Sequence, residues 1–422
     1  MNENFDLMKA ARNDFVYSTN NAEEALDFLR IRDESTLLTV ARDITVTPIA
    51  PGDQRLFPGE LASMNVVHHS IADNLRADYD PVKAYEECCN DTKLLICRGN
   101  GYERYLLRPQ ALKGLLSTTL TSGSGWGILQ SKNNNDFANA INCFLTVRPR
   151  DITLIEVWGA VTAVASDRYT ALPQYALLDT LLRSAESGQG KLTKFLYSHE
   201  MTYATVEFPP ELVRRYSLEK LKFDASKAKM LMNMRTSDNL NSAATVAIEI
   251  TDGEKTMATT SAYVAHKGQS SLERFEESCN SRNTALQEVY DQLVALSEYS
   301  LQYGESTIRE VGKRMSIPDS VMVKAIKEAK IRGMLFDKMT AYDGYLFICE
   351  LISTLNVNKS KTKSFCGNEA MIENYIKTDA KAKVAMLRWT DIDQERHYKD
   401  ITNLNAHVFE DPNQISLFDP AE

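Results

Sequence analysis

The sequence predicts an α+β protein: a body built on a mixed or antiparallel sheet over residues 1–268, a mostly helical region over 269–390 with a helix-turn-helix-like unit at 306–335, and a flexible acidic tail over 391–422. Three observations carry that prediction. Before residue 265, apolar residues repeatedly alternate with polar ones, which is the two-residue period of strands. Beyond His266-Lys267-Gly268 the period lengthens to that of helices. After Asp400 too few apolar residues remain to build a core.

Residues 20–32 place a polar cap and an acidic first turn before Ala25, Leu26, Phe28 and Leu29, the start signal of a short amphipathic helix. Leu37 to Ile49 alternates as a strand, and Leu94–Cys97 and Tyr105–Leu107 add two shorter ones. Ile152–Trp158 is an apolar strand. It is followed by Arg168-Tyr169-Thr170-Ala171-Leu172-Pro173, whose proline is suited to open a helix over Gln174–Ala185. Ala243–Thr251 and Lys255–Ala265 read as a hairpin across Asp252-Gly253, a pair that accepts positive φ in a tight turn. From Leu272 to Leu301 the apolar stripe Leu286, Val289, Leu293, Leu296 predicts helix. Asn356–Ser364 is polar and basic, the composition of a linker or an exposed loop.

A chain of 422 residues exceeds one ordinary core, so two or three domains are expected. No apolar run reaches the ~18 residues of a membrane helix, and the first residues lack the regions of a signal peptide. A cytoplasmic protein with no membrane partner is therefore expected. The seven cysteines (Cys88, Cys89, Cys97, Cys143, Cys279, Cys349, Cys366) are odd in number and show no C-x-x-C spacing, which argues against a disulfide frame or a zinc ribbon.

Residues suited to catalysis are sparse. No G-x-x-x-x-G-K-[ST] sequence is present, and the cluster Ser122-Gly123-Ser124-Gly125-Trp126-Gly127 reads as a loop without a following helix to bind phosphate. Six histidines, including the pair His68-His69, lack metal-ligand spacing. His199-Glu200 sits in a strand pattern where neighbours point to opposite faces, and His266 reads as structural. Asp391-x-Asp393 could hold a divalent cation, but in a poorly packed tail it reads as a solvated charged face. The expectation is a protein that is not an enzyme and requires no metal or other cofactor.

Binding signals are stronger. Thr307–Ile326 resembles a helix-turn-helix, with small Gly312 where two helices touch, Val311, Met315, Ile317, Met322 and Ala325 inside, and a turn at Ser316-Ile317-Pro318. Ser316 stands where such turns usually carry glycine. The second helix would present Ser320, Val323, Lys324 and Lys327, and Lys313, Arg314 and Lys330 complete the candidate DNA contacts. The net charge of −9 argues against a surface coated for nucleic acid, but the charge is unevenly spread. Residues 306–340 carry eight basic against four acidic side chains, 356–388 seven against three, and 391–422 two against eight. Two basic blocks before an acidic tail suit phosphate contact by the former and a protein partner for the latter.

The tail ends in Asn413-Gln414-Ile415-Ser416-Leu417-Phe418-Asp419. Gln414 to Phe418 resembles the short peptide by which bacterial replication and repair proteins bind the sliding clamp. The resemblance implies that Gln414 hydrogen-bonds at the mouth of a pocket, that Ile415 packs on its wall and that Leu417 with Phe418 fills its floor. Asp411-Pro412 disfavours helix just upstream, which keeps the segment extended. A latch of Leu417 and Phe418 onto the protein itself is the alternative reading.

Asp167–Pro173, Arg235–Ser242 and Val264–Gly268 together resemble an uncharacterised family encoded by phages, prophages and conjugative plasmids. The resemblance covers residues 90–300 and implies a mobile-element setting, where genes for DNA transfer, annealing and single-strand protection cluster. It assigns no catalytic residue. The chain therefore reads as a phage or plasmid factor of DNA metabolism that binds DNA, single-stranded by preference, or aids annealing or replication while tethered to the bacterial clamp. A clamp-occupying protein that does not bind DNA, and a helix-turn-helix regulator, stay open as alternatives, as does self-association.

Overall fold

The computed structural model describes residues 15–48, 94–98, 103–118, 134–158, 160–238, 243–253, 256–259, 262–264, 266, 271–314, 317, 319–359 and 390–391. The glycine cluster 122–127, the histidine pair His68-His69, Asp393 and the tail peptide Gln414–Phe418 lie outside these residues. The protein is α+β, with sheets in the first part of the chain and helices in the second. Its strands are β1 (Val16–Thr19), β2 (Thr36–Ala41), β3 (Ile44–Pro48), β4 (Leu94–Arg98), β5 (Glu103–Leu107), β6 (Ile152–Val157), β7 (Ala160–Ser166), β8 (Lys191–Ser198), β9 (Thr202–Phe208), β10 (Lys229–Thr236), β11 (Ala244–Thr251), β12 (Thr256–Ala258) and β13 (Ala262–Val264). Its helices are α1 (Ala22–Glu34), α2 (Pro109–Thr118), α3 (Asn134–Val147), α4 (Gln174–Glu186), α5 (Ser271–Asn280), α6 (Arg282–Glu298), α7 (Gly304–Arg314), α8 (Asp319–Ile331) and α9 (Ala341–Lys359), with shorter helical turns at 210–213, 218–221 and 336–338. No helix among the described residues is long and apolar enough to cross a membrane.

Two sheets organise the first part. One is an antiparallel meander, β1-β8-β9-β10-β11-β12, with β13 also paired to β11. The other runs β2-β6-β7-β5-β4-β3 and contains one parallel pair, β5 with β7. The alternating run from Leu37 to Ile49 is therefore not one strand. It breaks at Arg42-Asp43, and β2 and β3 lie at opposite edges of the same sheet. The strand expected after Asp252-Gly253 divides likewise, β12 and β13 pairing with opposite ends of β11, while Gly253 takes the expected positive φ of 94°. His199-Glu200 also departs from its strand pattern, because it forms the bend between β8 and β9.

Period-two patterning puts Phe195, Ala204, Val206, Met232, Met234, Val246 and Ile248 on the apolar side of the meander, in one core with Leu177 and Leu181 of α4, Phe275 of α5, and Leu286, Val289 and Leu293 of α6. The composition change at residue 268 marks a change of secondary structure, and this core runs across it. The second sheet packs Ile152, Leu154, Val161 and Val164 against Leu112 and Leu115 of α2 and Phe137 and Ile141 of α3. Gly114 lets α2 approach closely, since a Cβ there would lie 2.5 Å from the Val164 carbonyl oxygen. Asn142 of α3 fastens the edge strand β3, accepting from the Val46 N–H at 2.7 Å and donating to its carbonyl at 2.8 Å. Residues 356–359 of the predicted linker are helical instead, because α9 continues through Lys359. Residues 360–364 lie outside the described residues.

Local signals explain α1 well. Asn21 caps it by accepting from the N–H groups of Glu23 and Glu24, and acidic residues fill its first turn. At its other end lies a buried polar knot that joins residues from the segments 167–173, 235–242 and 264–268. Arg32, 4% exposed, donates to Asp33 at 2.8 Å and contacts Asp238 more closely still. Asp238 also accepts from Gln174 Nε2 at 2.8 Å and the Tyr169 hydroxyl at 3.3 Å, and that hydroxyl lies 3.2 Å from His266 Nδ1. The Tyr169 and His266 rings stack with centroids 5.4 Å apart. Thr202 donates to Gln174 Oε1, and the backbone N–H of Tyr175, in the first turn of α4, donates to Asp33 at 2.8 Å. Burial opposes the charge on Arg32, yet Asp238, Tyr197 and Asp33 hold its pKa well above the usual value. Burial pushes Asp33 and Tyr169 up, Asp238 adding to the rise of Tyr169, and pushes His266 down against the pull of Asp238. His266 closes this network rather than simply ending a hairpin.

Candidate nucleic-acid interface

The predicted helix-turn-helix is formed by α7 and α8. Ile308 and Val311 of α7 and Met322, Ile326 and Ala329 of α8 are buried, and Ala325 packs against the same core. Ile317 is buried in the turn, where its N–H donates to the Gly312 carbonyl at 2.9 Å. Met315, Ser316 and Pro318 lie outside the described residues. Gly312 is where the helices meet, since a Cβ there would come within 2.1 Å of Met322 Cε. Behind the pair stand α6 and α9, which join through the bridge Ser300↔Thr340, with Leu301 N–H donating to Met339 at 3.0 Å and Ala341 N–H to Tyr299 at 2.8 Å.

Spacing by three and four residues puts Ser320, Val323, Lys324 and Lys327 on one outer stripe of α8, and all four are exposed. Lys324 makes only a long contact of 3.9 Å to Glu328, on a side chain 79% exposed. Lys313 is exposed near the end of α7, and the side chain of Arg314 is outside the described residues. Lys330, also in the expected set, makes contacts within the helix pair. It reaches back to Glu305 of α7 at 2.5 Å and lies over the Phe336 ring at 5.9 Å, so it braces the helix pair. Arg309 does the same at the other end, 3.1 Å from Asp319. Exposed pairs of this kind contribute at most about 1 kcal/mol each, so they tune the crossing of the helices more than they hold it.

One residue of the site is not where the sequence puts it. Asp391 is 1% exposed, whereas the acidic tail composition predicts a solvated face. Its carboxylate accepts from Tyr303 N–H at 3.1 Å, Gln302 N–H at 3.3 Å, Thr307 Oγ1 at 2.9 Å and Tyr299 Oη at 3.0 Å. It thus caps α7 from the far end of the chain, supplying an anion to unpaired N–H groups at a helix start. Sequence rules look for a cap immediately before the helix, so a cap 88 residues away from Tyr303 gives no local signal. No protein-family model, no curated protein and no solved structure matches this chain.

Proposed function

We propose that this protein is a non-enzymatic, phage- or plasmid-encoded factor of DNA metabolism that acts in the bacterial cytoplasm, contacts DNA through the outer face of α8 and docks on the sliding clamp through Gln414, Ile415, Ser416, Leu417 and Phe418. The observation that carries the DNA contact is the exposed stripe Ser320, Val323, Lys324, Lys327 on the second helix of a tightly packed pair. A helix about 10–12 Å across fits a major groove about 12 Å wide, and residues in the first turns of such a helix reach base edges while lysines meet phosphate. None of these four residues is aromatic, so the stripe suits a duplex groove better than stacking of unpaired bases. Single-strand annealing, the activity suggested by the mobile-element setting, would need another surface.

Anisotropy titrations with labelled duplex and single strands over a range of salt test the DNA contact. Lys324→Glu with Lys327→Glu is expected to weaken duplex binding at least tenfold and to flatten its salt dependence by roughly two phosphate contacts, with melting temperature nearly unchanged. Equal affinity of wild type and double variant would make the unit purely structural.

The clamp contact has its own readout. Leu417→Ala with Phe418→Ala removes two side chains each contributing roughly 1.5–3 kcal/mol when fully buried, so clamp affinity should fall at least tenfold without loss of thermal stability. A lower melting temperature with unchanged clamp binding would instead identify a latch, and wild-type protein that ignores a bacterial clamp at micromolar concentration would end the proposal. The net charge of −9 favours one second reading, a clamp-occupying protein that binds no DNA. Clamp binding without salt-dependent DNA binding is its signature.

A further inference from the structure

We propose that Val323 reads the 5-methyl group of thymine in the major groove, so that α8 prefers duplex containing A·T pairs over the same duplex with uracil in place of thymine. The inference rests on the duplex-contact reading above. Val323 is 45% exposed and is not among the residues that pack the helix, because Met322, Ile326 and Ala329 fill the core side and Val321 and Ala325 are half-buried against it. Its neighbours on the exposed stripe are a hydroxyl and two ammonium groups, from Ser320, Lys324 and Lys327.

A single exposed apolar residue ordinarily needs no explanation. The placement of Val323 is what gives it a role. It stands four residues before Lys327 in the second turn of α8, the part of such a helix that reaches base edges. The major-groove edge of thymine carries the one apolar group of the four bases, and small apolar side chains are its usual partners. A β-branched side chain on a helix is held largely in one rotamer, so its two methyl groups are already oriented before binding. Asp319, one turn before it and exposed, is paired with Arg309 at 3.1 Å, and Glu328 lies 3.9 Å from Lys324, so with Lys313 and Lys327 the balance of charge around it stays basic and favours a polyanion. Ile331, exposed at 77%, stands eight residues further along the same helix, about 12 Å from Val323.

The test compares the full chain on an A·T-rich duplex and on the same duplex synthesised with deoxyuridine for thymidine, which differ only in the methyl groups. Wild type is expected to bind the thymine duplex about fourfold more tightly for each methyl it covers. Val323→Ala should bind both duplexes equally with the salt dependence of wild type, and Val323→Thr, which keeps one methyl, should retain part of the preference. Alanine is well accepted on an exposed helix, so the variant should fold. Salt-dependent binding by wild type with no preference for thymine, or a preference that survives in Val323→Ala, overturns the inference and leaves the DNA contact standing. Absence of salt-dependent binding to either duplex overturns both. A change of oligomeric state in Val323→Ala with an unchanged thymine preference would assign the residue to a protein contact and reject this role.

Discussion

Asp238→Ala is expected to lower stability by about 3–5 kcal/mol, the usual cost of removing one partner from a buried ion pair. Arg32 is the reason. With a side chain 5% exposed, it would keep Asp33 as its carboxylate partner and Tyr197 beside it, and Gln174 and Tyr169 would each lose an acceptor. Thermal melting should show a fall of roughly 3–6 °C. A companion measurement checks that the loss comes from stranded charge rather than from lost volume. The double variant Arg32→Met with Asp238→Leu removes the charge and its partner together, so it should be less destabilised than the sum of the two single variants. A strictly additive result, or a single variant within about 0.5 kcal/mol of wild type, would show that the knot contributes little.

Asp391→Ala should produce the second-largest effect, about 2–3 kcal/mol, concentrated at α7. The variant leaves two backbone N–H groups and the hydroxyls of Thr307 and Tyr299 without their acceptor and removes the anion at a helix start. Asp391→Asn keeps one acceptor oxygen and should lose less. Hydrogen exchange provides the local readout: amides in the first turns of α7 should exchange faster in the alanine variant, while those of β9 and β10 should keep their relative protection. Uniform acceleration across the protein would mean that α7 has no independent opening and that Asp391 supports the whole fold.

Features written in adjacent residues were legible in the sequence. Asn21 and Glu23-Glu24 announce α1, Asp252-Gly253 announces a turn, and Gly312 with its apolar neighbours announces the close contact of α7 and α8. The stripe Leu286, Val289, Leu293, Leu296 is buried as its spacing requires. What the sequence did not disclose depends on residues far apart in the chain. Alternation marks β2 and β3 as strands but says nothing of their partners, which put them at opposite edges. Tyr169, Asp238 and His266 each look unremarkable locally, and only the fold brings them within hydrogen-bond distance. Asp391 misleads for the same reason, since a carboxylate in an acidic stretch reads as solvated until a remote helix start is found for it.

The pairing of β1 with β8, in which Val16 faces Ser198, sets a timetable for synthesis. A ribosome that adds about 5–20 residues per second needs on the order of 10–40 seconds to travel from one strand to the other. Throughout that interval Tyr17 lacks Phe195, and Phe28 lacks Tyr197, the rings that surround them in the finished protein. The nascent N-terminus therefore carries its aromatic strand and helix without these partners while every strand of the second sheet, β2 to β7, is made and before any of β9 to β13 of the first sheet exists. Capture by a holding chaperone during that window, rather than the stability of the completed molecule, should govern how much protein is recovered from rapid expression. Slower translation ahead of residue 191 would only prolong the exposure.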